Sequence, residues 1–278
     1  MIVTGYINLK IEDAFNKGRV SMGILDRFRL DGKKALVTGG GQGLGRAYVR
    51  TLAEAGADIA VVDINIDTAQ DAAREVEFIG RKSLWIKADV SKVSDIYKMV
   101  DEVISEWGRL DIAINNAGAS EVISALNISE ESWDNILDLD LKGTFFCAQA
   151  EAKVMIPNKY GKIVNISSIL GYMVNHTEYQ VPYCVAKSGV VHLTKCLAAE
   201  WAPFGIRVNC VTPGYIQTPA IELPVFKDIK HIWVEQTPLG RLGTVEDLQA
   251  AVVYLSSEVS DFMTGNDMVI DGGFLLIK

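Results

Sequence analysis

The sequence predicts an α/β domain built on a doubly wound parallel sheet. Three observations point there. Short apolar, β-rich runs alternate with longer helical stretches along the chain. Those runs are continuously apolar rather than alternating, as strands buried on both faces are. And a glycine-rich turn joins the first run to the first helical stretch.

Seven strands are predicted, at Ala35–Val37, Ile59–Val62, Leu84–Lys87, Ile112–Asn115, Ile163–Ile166, Val208–Val211 and Met268–Ile270. Helical periodicity falls near Leu44–Ala55, Asp67–Phe78, Val93–Trp107, Glu131–Met155, Tyr183–Trp201 and Val245–Ser256. No linker-like composition shift and no repeat period interrupts the series, so one domain over residues 30–278 is expected, preceded by an extension at 1–29. Met1–Ser21 has no basic region, apolar run or small-residue cleavage site, which argues against a signal peptide; Met22 opens an alternative start. The least regular stretch is Gln217–Gly240, punctuated by Pro219, Pro224 and Pro238.

Of the 278 residues, 49% are hydrophobic and 22% charged, and the net charge is −8. That balance provides a sizeable core and argues against global disorder, a nucleic-acid footprint or an anionic membrane surface. No apolar run is long enough to span a bilayer. Cys147, Cys184, Cys196 and Cys210 are scattered, as are His176, His192 and His231. Neither a disulfide framework nor a metal site fits such spacing, so reduced thiols, a cytoplasmic setting and no metal are expected.

Thr38-Gly39-Gly40-Gly41-Gln42-Gly43-Leu44-Gly45 follows the first strand and opens a helix. Glycines there let the backbone turn tightly and let a pyrophosphate reach the helix N-terminus, where free N–H groups and the helix dipole favour anions. Asp63 closes the second strand, 18 residues past Gly45. A carboxylate in that place accepts from both hydroxyls of an adenosine ribose and repels a 2′-phosphate. Neither Gln42 nor Ile64 offers a neutralising cation, so NAD is expected in preference to NADP.

Further motifs follow in order: Ala88-Asp89-Val90, Asn115-Asn116-Ala117-Gly118, Ser167-Ser168, Tyr183-Cys184-Val185-Ala186-Lys187, Pro213-Gly214 with Thr218, and Asp271-Gly272-Gly273. With the spacing Gly39-x-x-x-Gly43-x-Gly45, this order resembles the short-chain dehydrogenase/reductase family from about Leu30 to Phe274. The resemblance implies a single Rossmann-type domain with a seven-stranded parallel sheet. It also implies a dinucleotide held by Gly39, Gln42, Gly43, Leu44, Gly45, Asp63, Ile64, Asp89, Val90, Asn116, Gly118, Pro213, Gly214, Ile216 and Thr218.

Tyr183 and Lys187 lie four apart at a predicted helix start and so share one face. Interconverting an alcohol and a carbonyl needs a group that moves a proton at the oxygen while hydride passes to or from a nicotinamide. Free tyrosine titrates near ~10, and an ammonium at roughly 4–5 Å stabilises the phenolate by ~3–4 kcal/mol. Ser168 is the expected partner of the reacting oxygen, with Ser167 as the adjacent alternative. The resemblance has Lys187 also bind the nicotinamide ribose. At Leu139-Asp140-Leu141-Lys142-Gly143 the sequence departs from the family pattern, which carries asparagine where Asp140 stands. In the family that residue's main-chain carbonyl holds a water linked to the lysine in a proton relay. A carbonyl survives the change, and a buried carboxylate near Lys187 would either raise that lysine's pKa and weaken its effect on Tyr183 or itself be protonated. Asp140 is therefore expected to tune activity rather than abolish it.

Ser168 and Tyr183 are 15 positions apart, two more than the usual family spacing. The intervening Gly171–Gln180 stretch is rich in hydrogen-bonding side chains and, with Val174-Asn175, looks like the polyol dehydrogenase and ketose reductase members. An ordinary solvated loop is the competing reading, and His176 alone reads as a surface residue. Glu121 and Tyr215 are further candidates for the substrate edge. Pro219–Val234 reads either as an amphipathic surface helix or as the flexible lid that family members place over the substrate. The expected activity is reversible, NAD-dependent oxidation of a sugar alcohol or other small polar alcohol. A 3-oxoacyl or cyclic-ketone reductase and a non-catalytic NAD(H) sensor are the alternatives. Family members are commonly homodimers or homotetramers, packed through the helices near Glu131–Met155 and Tyr183–Trp201.

Overall fold

The computed structural model describes residues 23–276 of the chain. The expectations placed on Met1–Ser21 and Met22 lie outside the described residues. Seven parallel strands form one sheet: β1 (Lys34–Thr38), β2 (Asp58–Asp63), β3 (Ser83–Lys87), β4 (Ile112–Asn115), β5 (Gly161–Ile166), β6 (Ile206–Pro213) and β7 (Asp267–Ile270). Their order is β3-β2-β1-β4-β5-β6-β7. Each predicted strand lies inside an observed one.

The continuous apolar runs are explained by the two layers that cover the sheet. In β1, Ala35 and Val37 face one cluster while Leu36 faces the other; in β2, Ile59 and Val61 oppose Ala60 and Val62. One layer holds α1 (Gly43–Glu54), α2 (Ile66–Phe78) and α8 (Glu246–Ser256), which contribute Tyr48, Leu52, Val76, Leu248 and Val252. The other holds α3 (Val93–Trp107), α5 (Thr144–Met155) and α6 (Val181–Trp201), which contribute Met99, Val103, Cys147, Leu197 and Trp201. Local chemistry sets the helix ends. Asn65 caps α2 by accepting from Asp67 N, and Gly108 ends α3 with φ +71°, where a side chain would be strained. Strand order reverses between β1 and β4, so a crevice opens at the carboxyl ends of these strands.

One expected helix is two. The stretch predicted as Glu131–Met155 comprises α4 (Glu130–Leu137) and α5, joined by a π-helical turn at Asp138–Gly143. Such a turn carries an extra residue and is common at functional sites. Here it packs Gly143 on the Val90 carbonyl, where a Cβ would lie 2.6 Å from the oxygen, and it buries Asp140 completely. Thr144 Oγ1 donates to the Asp140 carbonyl at 2.8 Å, fixing the turn. Apolar periodicity alone does not register an inserted residue. Within Gln217–Gly240 the chain forms a short helix, α7 (Lys230–Gln236), preceded by two 3₁₀ turns.

Candidate active site and cofactor cleft

The glycine loop wraps the end of β1. Gly39 and Gly43 have φ of +62° and +54°. A Cβ on Gly45 would collide with the Gly39 carbonyl and stand 2.6 Å from Asn116 Nδ2. Asn116 fastens the loop from β4, donating through Nδ2 to Thr38 O at 3.0 Å and Gly39 O at 3.3 Å. Gln42 is exposed and Leu44 half-buried at the start of α1. Thus the loop is a cradle of backbone N–H groups cleared of side chains, as an anion at this helix end requires.

Asp63 is buried at the end of β2, and its carboxylate accepts from Gly41 N at 2.9 Å and Asn65 N at 3.0 Å. Ile64 beside it is exposed. Sequence reasoning missed one cation here: Arg46 on α1 points back to Gly41 O and is paired with Glu75 at 2.6 Å. A salt-bridge partner 29 residues away on another helix leaves no local sequence signal. After β3, Asp89 accepts from Ser91 N and Oγ and pairs with Lys92, which together hold its carboxyl below the usual range despite partial burial. Val90 is buried against the π-helical turn. Across the cleft, Pro213 ends β6, Gly214 N donates to Ile270 O, Ile216 bridges to Gly243, and Thr218 stands just ahead of the first 3₁₀ turn of this segment.

Ser168, Tyr183 and Lys187 converge at the carboxyl edge of β5. Ser167 is spent on structure, its Oγ donating to the Lys187 carbonyl at 2.8 Å. Ser168 Oγ accepts from Leu170 N at 3.2 Å, and this serine helps to hold the Tyr183 phenol down. Lys187 Nζ lies 5.4 Å from the Tyr183 ring centroid and donates to Ile166 O at 3.1 Å. Its nearest anion is Asp140, whose Oδ1 stands 2.9 Å away with both side chains buried. The other oxygen, Oδ2, accepts from Ala119 N at 3.1 Å. Gly118 is forced by this pair, since a Cβ there would strike Asp140 Oδ1 and sit 3.1 Å from Lys187 Nζ.

The expected effect of Lys187 on Tyr183 is therefore reduced. Burial pushes the Tyr183 phenol above its ordinary value; Lys187 and Ser168 oppose the shift and Asp140 adds to it. Burial also penalises the Lys187 ammonium, yet Asp140 outweighs it and holds the lysine above its usual range. A lone ammonium near Tyr183 would lower the phenol, and pairing it with a carboxylate weakens that effect.

Beside α6, the segment ahead of Tyr183 forms a buried polar cluster. Asn175 Nδ2 donates to Tyr215 Oη at 2.6 Å, Tyr215 Oη donates to Glu178 Oε1 at 2.5 Å, and Gln180 Nε2 donates to Glu178 Oε2 at 2.9 Å. Tyr215 in turn stacks on Trp233 of α7, with centroids 4.2 Å apart and planes at 9°, and meets Phe274 edge-on at 5.1 Å. Gln236 of α7 and Asn175 both border a cavity of about 850 Å³ against Cys184. His176 borders it too but is exposed. Glu121 is exposed and accepts from Ser132 on α4. The polar richness of Gly171–Gln180 was legible in sequence; its closure through Tyr215 and Trp233 was not.

Comparison with known proteins agrees with this architecture. Residues 39–275 match the family model described as enoyl-(acyl carrier protein) reductase. A 2-dehydro-3-deoxy-D-gluconate 5-dehydrogenase of Dickeya dadantii (strain 3937) is 38% identical over 255 residues, covering 91% of this chain and 99% of that protein. An NADP-dependent mannitol dehydrogenase of Alternaria alternata is 38% identical over 253 residues, covering 90% of this chain and 94% of that one. The crystal structure of a short-chain type dehydrogenase/reductase from Mycobacterium marinum superposes with a TM-score of 0.88 at 40% identity, covering 91% of this chain and 99% of that chain. With that order of motifs on a seven-stranded parallel sheet, the chain belongs to the short-chain dehydrogenase/reductase family and is an oxidoreductase acting on CH–OH groups.

Proposed function

We propose that the protein is an NAD-dependent dehydrogenase that interconverts a polyol, sugar acid or similar small polar alcohol with its ketone. The observation that carries this reading is the convergence of Ser168, Tyr183 and Lys187 at the sheet edge, beside the buried polar cluster of Asn175, Glu178, Gln180 and Tyr215. A bound nicotinamide supplies the hydride acceptor or donor.

In alcohol oxidation, the Tyr183 phenolate takes the hydroxyl proton; in ketone reduction the phenol returns it. Ser168 hydrogen-bonds the reacting oxygen, and the Lys187 ammonium favours the phenolate. The cradle fits a dinucleotide, because side chains at Gly39, Gly41 and Gly45 would strike their neighbours, while the N–H groups that open α1 at Gly43 have no helical carbonyl to bond. In this reading Gly39, Gln42, Gly43, Leu44 and Gly45 hold the pyrophosphate, and Asp63 and Ile64 flank the adenosine ribose. Asp89 and Val90 contact the adenine. Asn116, Gly118, Tyr183, Lys187, Pro213, Gly214, Ile216 and Thr218 surround the nicotinamide end.

The preference for NAD rests on Asp63, a buried carboxylate already fixed by two backbone N–H groups, with the nearby Arg46 neutralised by Glu75. The polar substrate class is supported by the hydrogen-bonding side chains that border the cavity, Asn175, His176, Thr177 and Gln236. The lid reading of Pro219–Val234 is supported by the stacking of Trp233 on Tyr215. A homodimer or homotetramer is supported by exposed Val181 and Val185 on α6 and Trp133 on α4. Cytoplasmic placement is supported by four free cysteines.

The test is to follow NADH and NADPH formation across polyols, sugar acids, hydroxy acids and cyclic alcohols. Preferred turnover of polyols or sugar acids with NAD is expected. Turnover confined to cyclic alcohols would overturn the substrate class, and NADH binding without any turnover would indicate a sensor.

A further inference from the structure

The Asp140 carboxylate is doubly fixed. Oδ1 stands 2.9 Å from Lys187 Nζ and Oδ2 accepts from Ala119 N, while the main-chain carbonyl of the same residue is already bonded to Thr144 Oγ1. The wide π-helical turn brings this side chain into the interior, and the absence of a side chain at Gly118 makes room for it. An amide in the same place would preserve the shape and the Ala119 contact but remove the negative charge from beside the ammonium.

We propose that Asp140 is a positioning residue that holds Lys187 through its carboxylate and thereby sets the pH range in which Tyr183 exchanges its proton. The inference rests on the reading of Tyr183 as the proton carrier. A carboxylate one contact from the ammonium opposes the field with which Lys187 favours the phenolate, so oxidation of the alcohol shifts to higher pH. The remaining groups around the pair do not compete. Ser168 faces Tyr183 from the end of β5, Cys184 faces it from α6, and Cys210 faces Lys187 from β6. Burial pushes both thiols up, so both are uncharged near neutrality; Glu178 lies beyond Cys184 and Asp267 beyond Cys210.

The experiment compares pH profiles of kcat/KM for alcohol oxidation in the parent, Asp140→Asn and Asp140→Ser. It also titrates the tyrosinate absorbance of each against the same chain carrying Tyr183→Phe. Removing the charge is expected to move the acid limb and the Tyr183 titration down together by about one pH unit or more. One unit raises kcat/KM about tenfold well below the limb. A limb and a titration that stay within about 0.3 unit of the parent in both variants would overturn the proposal. The titration needs no turnover. If Tyr183→Phe alone retained activity, the proton-carrier reading would fall, while the titration would still report whether Asp140 controls the Tyr183 phenol.

Discussion

Replacing Glu151 by Gln should stabilise the protein progressively as pH rises. Glu151 is fully buried on α5. Its Oε2 accepts from Asn115 Nδ2 at 3.1 Å, and Oε1 has no hydrogen-bond partner among the described residues. Ionisation would strand a charged oxygen, so burial pushes this carboxyl from an ordinary 4.5 up to about 8. The sign follows from proton linkage. Between those two values the unfolded chain has released the proton and the folded chain keeps it, so stability falls as pH rises through the window. Each pH unit is worth about 1.4 kcal/mol, which makes about 2–3 kcal/mol between roughly pH 5 and pH 7. Glutamine keeps the shape and the acceptor for Asn115 but has no proton to hold. Thermal melting of both proteins at the two pH values isolates the effect, because every other group is shared. At about 2–4 °C per kcal/mol, the advantage of Glu151→Gln should grow by about 5–10 °C from the lower to the higher pH. A difference that stays constant to within about 1 °C would refute the reasoning.

Asp63→Ser should raise the ratio of kcat/KM for NADP over NAD by at least about tenfold, or about 1.4 kcal/mol, since the charge that repels a 2′-phosphate is gone; initial rates with both cofactors measure it. Tyr215→Phe removes the hydroxyl shared by Asn175 and Glu178 and should lower stability by about 1–3 kcal/mol. It should also raise KM for a polyol more than it lowers kcat, as denaturant midpoints and steady-state kinetics would show.

The five inner strands were legible because each is covered on both faces, so runs such as Asp58–Asp63 leave no ambiguity about burial. The edge strands β3 and β7 keep Trp85 and Val269 exposed and were legible from the alternation of strands with helices. The glycine loop, Asp63 and the Tyr183-x-x-x-Lys187 pair were legible because local spacing carries their chemistry. What escaped was set by distant contacts. The π-helical turn at Asp138–Gly143 interrupts a helix whose apolar period reads straight through it. The turn is held by the packing of Gly143 on the Val90 carbonyl and by the Thr144 hydroxyl. Asp140 stood out as a departure, but only the fold shows that its side chain reaches Lys187. The Arg46–Glu75 pair and the Tyr215–Trp233 stack join segments 29 and 18 residues apart, beyond any helical or strand period. Tyr215 was already a candidate by its position at the sheet edge; its partners were not.

Central to the account is that Tyr183 carries the proton at the reacting oxygen while taking little part in holding the dinucleotide. Tyr183→Phe keeps the ring against Lys187 and removes only the hydroxyl, so turnover of a polyol and NADH affinity can be measured on one variant. Turnover should fall by at least about a hundredfold, the scale of losing a general acid–base, with the Kd for NADH within about threefold of the parent. Turnover retained at the parent level would contradict the assignment.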